Sequence, residues 1–235
     1  MSKMTPEQIR ERFDADVERF SNLETGQTAT IDAPLVLDLI TRAAAAATPG
    51  ARSALDVGCG AGNYTLKLLE RLPNLDVTLV DLSWPMLDRA AQRVGAATTG
   101  KVETIQGDVR EIDLGEGRHD VIMAAMVLHH LRSEREWLDV LGKFRKALKP
   151  GGSLWIADLV VHAIPSIHEL MWARYGEYLA ALRDEAYRDH VFAYIEREDT
   201  PASLVDQLGW LRAAGFDRVE VLHKNSCFAA FGAIA

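Results

Sequence analysis

Residues 55–72, LDVGCGAGNYTLKLLERL, change their hydrophobic period halfway along. The first residues alternate as in a short buried strand, and the leucines near the end repeat at helical spacing. Three glycines, Gly58, Gly60 and Gly62, separate the two patterns. Glycines after a first strand let the backbone approach a ligand closely, and the start of a helix adds amide donors. The segment therefore predicts a strand, a glycine turn and a helix that form one side of a binding site.

The glycine spacing narrows the choice of ligand. The three glycines follow a G-x-G-x-G pattern, one residue shorter than the G-x-G-x-x-G pattern of dinucleotide sites. A pyrophosphate is therefore a less favoured ligand. Cys59, between the first two glycines, is interpreted as a small buried turn residue rather than as a nucleophile.

Strands and helices alternate through the middle of the chain. Alternation of this kind is typical of right-handed βαβ units and of a parallel sheet covered on both faces. The sequence thus predicts an α/β fold. The predicted strands cover 52–57, 76–81, 101–106, 119–125 and 153–158. The intervening helices are predicted to begin near Gly62, Trp84 and Ser133.

The two ends of the chain depart from this alternation. Helices are predicted over 6–20, with Thr5 as N-cap, and over 33–47, with Asp32 as N-cap. Near the other end, a helix over 201–214 precedes two strands that only Asn225 and Ser226 separate. Two strands so close together must pair as a hairpin, so an antiparallel strand is expected in the sheet.

Composition limits the classes of protein to be considered. The chain has 235 residues, which suits a single domain over 1–235. A net charge of −8 argues against direct nucleic-acid binding, since neutralising phosphates requires a basic face. We expect no secretory signal and no membrane span. Two cysteines make neither a disulfide framework nor a zinc cluster, so we expect a cytoplasmic protein without a bound metal.

Ligand-binding side chains follow three further predicted strands. Asp81 ends the second strand, where a carboxylate can accept hydrogen bonds from both hydroxyls of a ribose. Asp108 follows the third strand after Gly107, at a place where it can accept an adenine amino hydrogen. The fourth strand is apolar to its tip, so that small residues and backbone carbonyls face a ligand there. Capping of the next helix is the alternative role for Asp81, but Ser83 is better placed for it.

These residues resemble a known family, the class I S-adenosylmethionine (SAM)-dependent methyltransferases. The resemblance rests on LDVGCGAGNY, LVDLSWPML, GDVREI, VLHHL and LKPGGSLWIAD, within about residues 50–160. It implies a Rossmann-like, mostly parallel sheet of seven strands in the order 3-2-1-4-5-7-6, with the last strand antiparallel. It also implies SAM as the cofactor.

The resemblance assigns roles to individual positions. Asp56 would organise the glycine turn and bind the methionine ammonium group, which the Ala124 carbonyl would also contact. Asp81 would hold the ribose, and Asp108 the adenine amine. The other implied cofactor residues are Gly58, Gly60, Gly62 and Asn63 in the turn, and Leu82, Met86 and Val109 around the adenine.

The sequence says less about the catalytic residues. Methyl transfer depends mainly on proximity and alignment, with a base in some enzymes. His129 and His130 follow the fourth strand, and one of them, with His129 as the candidate, could act as that base. A structural role for the histidine pair is the alternative.

An insertion of about forty residues separates the fifth strand from the last helix. We call residues 162–200 the lid segment, and expect it to close the site together with an N-terminal cap, residues 1–48. Tyr175 and Tyr178 lie one helical turn apart, so both hydroxyls could face the sulfonium and take part in catalysis. The alternative is that these aromatic residues form the buried stripe of a helix.

Two function classes remain besides methyl transfer to a small-molecule acceptor. FDADVERF near the start and KNSCFAAFGAIA at the end are similar to carboxy-S-adenosylmethionine synthases, which modify the cofactor itself. Cyclisation and lyase chemistry on SAM belong to the same alternative. A module that binds SAM without turnover is the third class. A homodimer is a further possibility that the sequence leaves open.

Overall fold

A computed structural model of the protein describes residues 3–22 and 27–235. Residues 1, 2 and 23–26, which belong to the predicted N-terminal cap, lie outside the described part.

All the strands of the described chain belong to one mixed sheet with the order β3-β2-β1-β4-β5-β7-β6. Neighbouring strands from β3 to β5 pair in parallel, and β7 is antiparallel to both β5 and β6. The predicted α/β class and strand order are therefore confirmed. The strands are β1 (Ser53–Val57), β2 (Asp76–Asp81), β3 (Val102–Gln106), β4 (His119–Ala125), β5 (Leu148–Leu159), β6 (Arg218–Asn225) and β7 (Phe228–Ile234).

Helices cover both faces of the sheet. Side chains alternate along β1, so Ala54 packs in one hydrophobic cluster while Leu55 and Val57 pack in the other. The face that includes Ala54 is covered by α3 (Ala33–Ala47), α4 (Asn63–Leu69) and α5 (Trp84–Gly95). The opposite face is covered by α6 (Glu134–Ala147) and α9 (Leu204–Ala213). The doubly covered sheet explains why its central strands are apolar throughout.

The predicted helix over 6–20 is two helices, α1 (Pro6–Asp14) and α2 (Val17–Ser21). Thr5 caps α1 as expected, since its hydroxyl accepts a hydrogen bond from the Gln8 amide at 3.4 Å. The prediction of one continuous helix is wrong at Asp16, which starts α2. Aspartate favours helix starts over helix interiors because its side chain competes for backbone groups.

Asp32 is the N-cap residue of α3, as predicted, but it does not cap the helix through its side chain. Asp32 has a φ of 58°, and its carboxylate makes no capping hydrogen bond. That carboxylate instead accepts a hydrogen bond from Asn225 Nδ2 at 2.8 Å and lies 2.9 Å from His223 Nε2. The left-handed backbone turns the side chain away from the helix amides and towards β6.

The lid segment contains two helices, α7 (Pro165–Leu182) and α8 (Glu185–Glu198). Their apolar side chains form a third cluster with Ile31 and with Leu159 and Phe228, at adjoining ends of β5 and β7. Among the described residues, no helix combines the length and apolar character needed to cross a membrane.

Candidate functional site

The carboxyl ends of β1 to β4 meet at one edge of the sheet. The chain reaches β2 and β3 on one side of β1 and β4 on the other, so strand order reverses between β1 and β4. Ligands of open parallel sheets bind in the crevice at such a reversal. Three of the residues predicted from strand tips, Asp56, Asp81 and Asp108, line cavities at this edge.

The glycine turn after β1 has a backbone that only glycine adopts readily. Gly58 has a φ of 65°, and a Cβ there would lie 2.6 Å from Val127 Cγ2. Gly60 has a φ of 50°, and a Cβ there would meet no atom within 4 Å. Gly58 therefore permits close packing against the loop after β4. Gly60 leaves open space beside the turn that a ligand can fill.

Gly62 has a different role from the other two glycines. It precedes α4 with a φ of 83°, and a Cβ there would lie 3.2 Å from Val94 and 3.3 Å from Ala90. Both neighbours belong to α5, and Gly62 does not line either cleft cavity described below. The structure thus places Gly62 in a helix–helix contact. Gly62 was predicted to bind the cofactor, but in the structure it allows α4 and α5 to pack closely.

Asp56 is buried at the end of β1. Its Oδ2 accepts a hydrogen bond from the Thr65 hydroxyl at 2.6 Å. Burial raises the pKa of Asp56 to about 7, against the opposing effect of the Thr65 hydrogen bond. A cationic group placed beside this carboxylate would favour its ionised form.

Asp81 connects β2 to the glycine turn. Its two carboxylate oxygens accept hydrogen bonds from the Gly60 amide at 2.8 Å and the Ser83 amide at 2.9 Å. Burial raises the pKa of Asp81 to about 6, although the two amides lower it. Ser83 accepts from the Met86 amide at 3.3 Å, so Ser83 caps α5 as the sequence indicated. Asp81 is therefore free of a capping role.

Asp108 is paired with a cation from its own loop. Arg110 donates to both carboxylate oxygens, from Nε at 3.0 Å and from Nη2 at 2.5 Å. Burial alone would raise the pKa of Asp108, but the Arg110 hydrogen bonds outweigh it and the pKa lies below its ordinary value. The carboxylate is consequently ionised and able to accept a further hydrogen bond.

Two adjoining cavities follow this edge of the sheet. The larger has a volume of 610 Å³ and the smaller a volume of 110 Å³. We call the pair the cleft, because both are lined by Ile9, Gly58, Asp81, Leu82, Val127 and His130. Asp108 and Val109 line only the larger cavity, and Asp56, Gly60, Asn63 and Met86 line only the smaller.

Ala124, whose carbonyl was predicted to contact the cofactor, lines neither cavity of the cleft. Ala124 is fully buried within β4, where it pairs with Val57 and Ile156. The next residues, Ala125 and Met126, line the smaller cavity instead. Met126 has a φ of 55°, and such a backbone is uncommon for a side chain of this size. The chain therefore leaves the sheet sharply where it meets the cleft.

The two adjacent histidines have different surroundings in the structure. His129 is buried, and its Nδ1 is hydrogen-bonded to Asp158 while its Nε2 lies 3.6 Å from Asp199 Oδ1. Burial lowers the pKa of His129, but the two carboxylates outweigh it and raise the pKa to about 9. His130 lines both cavities of the cleft, and burial lowers its pKa well below the usual value. His129 lines neither, so the histidine at the cleft is His130.

The expected orientation of Tyr175 and Tyr178 is wrong. The Tyr175 hydroxyl donates to the Ala29 carbonyl at 3.0 Å, and the Tyr178 hydroxyl donates to the Thr28 carbonyl at 2.7 Å. Neither tyrosine lines the cleft, and Tyr175 is almost fully buried among Trp172, Phe192 and other aromatic rings. The two hydroxyls thus hold the lid segment to the backbone of residues 28–29.

Conservative substitution tests this structural role. We expect Tyr175→Phe and Tyr178→Phe each to lower the free energy of unfolding by about 1 kcal/mol, the usual contribution of one hydrogen bond. Turnover of the cofactor per folded molecule should not change. Thermal unfolding and initial rates, measured on the same preparations, provide the check. A large loss of turnover without a loss of stability would restore the catalytic role.

The cleft is covered mainly by the N-terminal helices. Ile9 and Phe13 of α1 and Phe20 of α2 line it, whereas no residue of α7 or α8 does. Thr200, which follows α8, is the single lining residue that the lid segment supplies. The lid segment instead borders a separate cavity with α1 and α2. The lid segment, which was expected to close over the cofactor, therefore reaches the cleft only at Thr200.

Sequence reasoning missed several residues of the cleft. The apolar ones on α1 and α2 follow a helical pattern, but such a pattern equally describes packing against a core. Arg132 and Thr200 carry no local signal, since contacts between distant segments place them. The missed residues include Ile9, Phe13, Phe20, Gln27, Tyr64, Ala125, Met126, Val127, His130, Arg132 and Thr200.

Comparison with known proteins gives a consistent result. Residues 54–152 match a family described as a methyltransferase domain. An uncharacterized methyltransferase of Mycobacterium tuberculosis is 32% identical over 123 residues, which are 52% of this chain and 57% of that protein. The carboxy-S-adenosyl-L-methionine synthase of Chromohalobacter salexigens is 30% identical over 184 residues, covering 74% of this chain and 65% of that one. The chain therefore spans less than two thirds of either relative.

A solved structure shows the same fold. Human N-acetylserotonin methyltransferase in complex with SAM superimposes with a TM-score of 0.60 at 15% sequence identity. The superposition covers 98% of this chain and 56% of the human one.

Proposed function

The resemblance to the class I SAM-dependent methyltransferases is confirmed over residues 54–152, and on that premise we propose that the protein transfers the methyl group of SAM to a small-molecule acceptor. The observation that carries the proposal is the cleft, where two aspartates of raised pKa flank a glycine turn with open space beside it. A volume of 610 Å³ lies within the range of small-molecule and cofactor pockets.

The residues of the cleft fit the parts of SAM. A Cβ at Gly60 would project into open space, so the turn forms a cradle that a ligand can occupy. Within residues 3–22 and 27–235, Thr65 is the side chain that donates to Asp56, and it binds Oδ2, which leaves Oδ1 for the ammonium group of the methionine part. Asp81 would hold the ribose hydroxyls. Asp108, Leu82 and Val109, which line the larger cavity, would surround the adenine.

Bound SAM supplies an electrophilic methyl group, because its sulfonium already carries the positive charge. The chain itself contributes binding, alignment and exclusion of water. The apolar side chains from α1 and α2 cover the cleft, and His130 is the titratable side chain that lines both cavities outside the predicted cofactor residues. Burial lowers the pKa of His130 well below the usual value, so the side chain that reaches both cavities is a neutral imidazole.

A small acceptor is supported by the size of the cleft and by the net charge. The larger cavity continues past Asp108 to Leu131, Arg132 and Thr200, which would form the acceptor side. A chain with a net charge of −8 lacks the excess of basic residues that nucleic-acid substrates require. We accordingly propose a cytoplasmic enzyme with no direct nucleic-acid partner. A homodimer stays a prediction.

Chemistry on the cofactor itself is the second candidate. It is favoured by the 30% identity to the carboxy-S-adenosyl-L-methionine synthase, which extends over 74% of this chain. The alignment of 184 residues is longer than the segment that matches the methyltransferase domain, residues 54–152.

Mass spectrometry distinguishes the candidates. The purified protein would be analysed for co-purifying small molecules, then incubated with SAM and with fractionated cell metabolites. S-adenosylhomocysteine together with a metabolite heavier by one methyl group supports the proposal. An altered SAM species supports the second candidate. If SAM stays intact in every incubation, both enzymatic assignments are wrong, and the protein is a module that binds SAM without turnover.

We expect cofactor affinity to increase with pH. Asp56 and Asp81, with pKa values of about 7 and about 6, are largely neutral at pH 5.5 and ionised above pH 7.5. Since SAM is a cation, its Kd should fall as the pH rises, by up to about tenfold per unit for each proton released. Calorimetry across this range, with Asp56→Asn as the comparison, measures the effect. A flat profile in the wild-type protein contradicts the assigned roles.

The stability of the ligand-free protein should change in the opposite direction. Because the folded-state pKa values of both aspartates are raised, their favourable contribution is complete at acidic pH, below their unfolded pKa. It is lost as the pH rises through about 6 and about 7. Cofactor affinity should thus rise with pH while the stability of the ligand-free protein falls, so an effect of pH on binding can be distinguished from an effect on folding.

A further inference from the structure

Three side chains converge behind the wall of the cleft. Ligand atoms of His129, His130 and Asp199 all lie within 4.8 Å of one another. Asp199 Oδ1 lies 3.6 Å from His129 Nε2 and 3.3 Å from His130 Nδ1. The histidines follow β4, and Asp199 follows α8, so the cluster joins the sheet to the lid segment.

Two atoms of this cluster are buried without a hydrogen bond. Asp199 Oδ1 and His130 Nδ1 have no hydrogen-bond partner among the described residues, although each is shielded from solvent. Asp199 is only 4% exposed. A buried polar atom without a partner costs about 1–3 kcal/mol, and a group bound by both atoms would remove that cost.

The third candidate ligand atom, His129 Nε2, is held in position by a contact on the opposite side of the imidazole ring. Asp158 is buried and its carboxylate binds His129 Nδ1, the His129 amide at 3.0 Å and the Leu159 amide at 2.7 Å. This contact fixes the imidazole ring with its Nε2 turned towards Asp199. A carboxylate behind the distal nitrogen is the usual support of a metal-binding histidine.

Two arginines also line the cavity at the cluster, Arg12 and Arg19, and each is paired with a carboxylate outside the cluster, Glu198 and Asp16. The neighbouring carboxylate of Glu198 is already paired with Arg12 at 2.8 Å and with Arg197 at 3.2 Å. The carboxylates that lie beside the two histidines are therefore those of Asp158 and Asp199.

There is room for an ion at this place. A cavity of 90 Å³ is lined by all three residues and also by Gln27 and Tyr194. One water molecule occupies about 30 Å³ in the liquid, so an ion and one or two further ligands fit. This cavity adjoins the cleft, and the two share the lining residues Phe13, Phe20, Gln27, Met126 and His130.

We propose that His129 Nε2, His130 Nδ1 and Asp199 Oδ1 bind one divalent transition-metal ion, with zinc as the best match to two imidazoles and a carboxylate. Ligands about 2.1 Å from a tetrahedral ion lie about 3.4 Å apart, close to the two separations observed. The inference goes beyond the proposed function and does not depend on it. It revises the expectation from the sequence that no metal is bound, because the third ligand lies 69 residues beyond His130.

Metal titration of the tag-free protein tests the site. After treatment with a chelator, the protein would be titrated with Zn²⁺ by calorimetry and with Co²⁺ by visible absorption. We expect one equivalent per chain, absorption bands of a tetrahedral Co²⁺ complex, and an increase of the Tm by mass action. His130→Gln and Asp199→Asn should each lower the affinity by at least tenfold. Circular dichroism would confirm that both variants fold.

A second histidine–carboxylate pair provides the matched control. His223 and Asp32 lie 2.9 Å apart without a third ligand group, so His223→Gln should leave stoichiometry and affinity unchanged. The proposal is wrong if the wild-type protein binds neither ion at micromolar concentration, which would leave a protonated His129 between its two carboxylates. It is equally wrong if binding survives in both cluster variants, because that result identifies an adventitious ion.

Discussion

Substitution of Asp81 by alanine is expected to weaken binding of SAM and S-adenosylhomocysteine by at least about tenfold. The carboxylate would accept hydrogen bonds from the ribose, and a charge-assisted hydrogen bond contributes about 1.5–3 kcal/mol, with each 1.4 kcal/mol corresponding to a factor of ten. It also holds the Gly60 amide, so its removal releases the glycine turn. Calorimetry with both ligands measures the change.

The opposite end of the same strand offers a matched control. Asp76 begins β2 and accepts a hydrogen bond from the Lys101 amide at 2.8 Å, just as Asp81 binds backbone amides at the other end. Asp76→Ala should therefore leave both Kd values unchanged. Equal affinity of Asp81→Ala and wild type, or preferential binding of NAD by the wild-type protein, would falsify the cofactor assignment.

Substitution of Gly58 by alanine is expected to reduce both stability and cofactor binding. The new Cβ would lie 2.6 Å from Val127 Cγ2 and would require a left-handed backbone. The backbone costs about 1–2 kcal/mol and overpacking about 1–3 kcal/mol, so the free energy of unfolding should fall by about 2–5 kcal/mol. Denaturant unfolding and calorimetry measure the two effects.

Three further variants separate the causes. Adding Val127→Ala to Gly58→Ala should recover only part of the overpacking cost, because it removes both Cγ atoms but leaves Val127 Cβ 2.7 Å from the new Cβ. Gly60→Ala has open space around its Cβ but the same left-handed backbone, so it should lower stability only by the backbone part, about 1–2 kcal/mol, and should also lower cofactor affinity. Gly142→Ala, within α6 and without any neighbour within 4 Å, should be neutral or slightly stabilising. Unchanged stability in Gly58→Ala would contradict the packing shown by the structure.

Much of the fold was accessible from local patterns. The strands β2 and β4 and the helix α3 agree with the predicted ranges to the residue. These elements have a clear hydrophobic period, so the pattern and the chain geometry coincide. The helix over 6–20 was predicted wrongly in part, because its break at Asp16 leaves the amphipathic pattern on both sides unchanged.

The binding edge was predictable for a topological reason. Side chains at the carboxyl ends of parallel strands lie at one edge of a sheet, so Asp56, Asp81 and Asp108 belong together once the alternation of strands and helices is established. Their chemistry, three carboxylates around a glycine turn, is local information. The structure adds their environments, with burial raising two of the pKa values and Arg110 lowering the third.

The orientation of side chains in the lid segment was not predictable in this way. One helical turn between Tyr175 and Tyr178 places both on one face, but nothing in the spacing says what that face meets. The structure directs both hydroxyls to the carbonyls of residues 28 and 29, far away along the chain.

By itself, the sequence determined the α/β class, the order of the sheet through its family resemblance, and the edge of the sheet at which the three aspartates meet. These follow from hydrophobic period, turn residues and strand ends, all of which act within a few neighbouring residues. Only the tertiary structure decided that His130 rather than His129 faces the cleft, and that Asp199 lies beside them. Adjacent residues in a short turn point in different directions, and the packing of α8 against the end of β4 brings together groups that no local pattern connects.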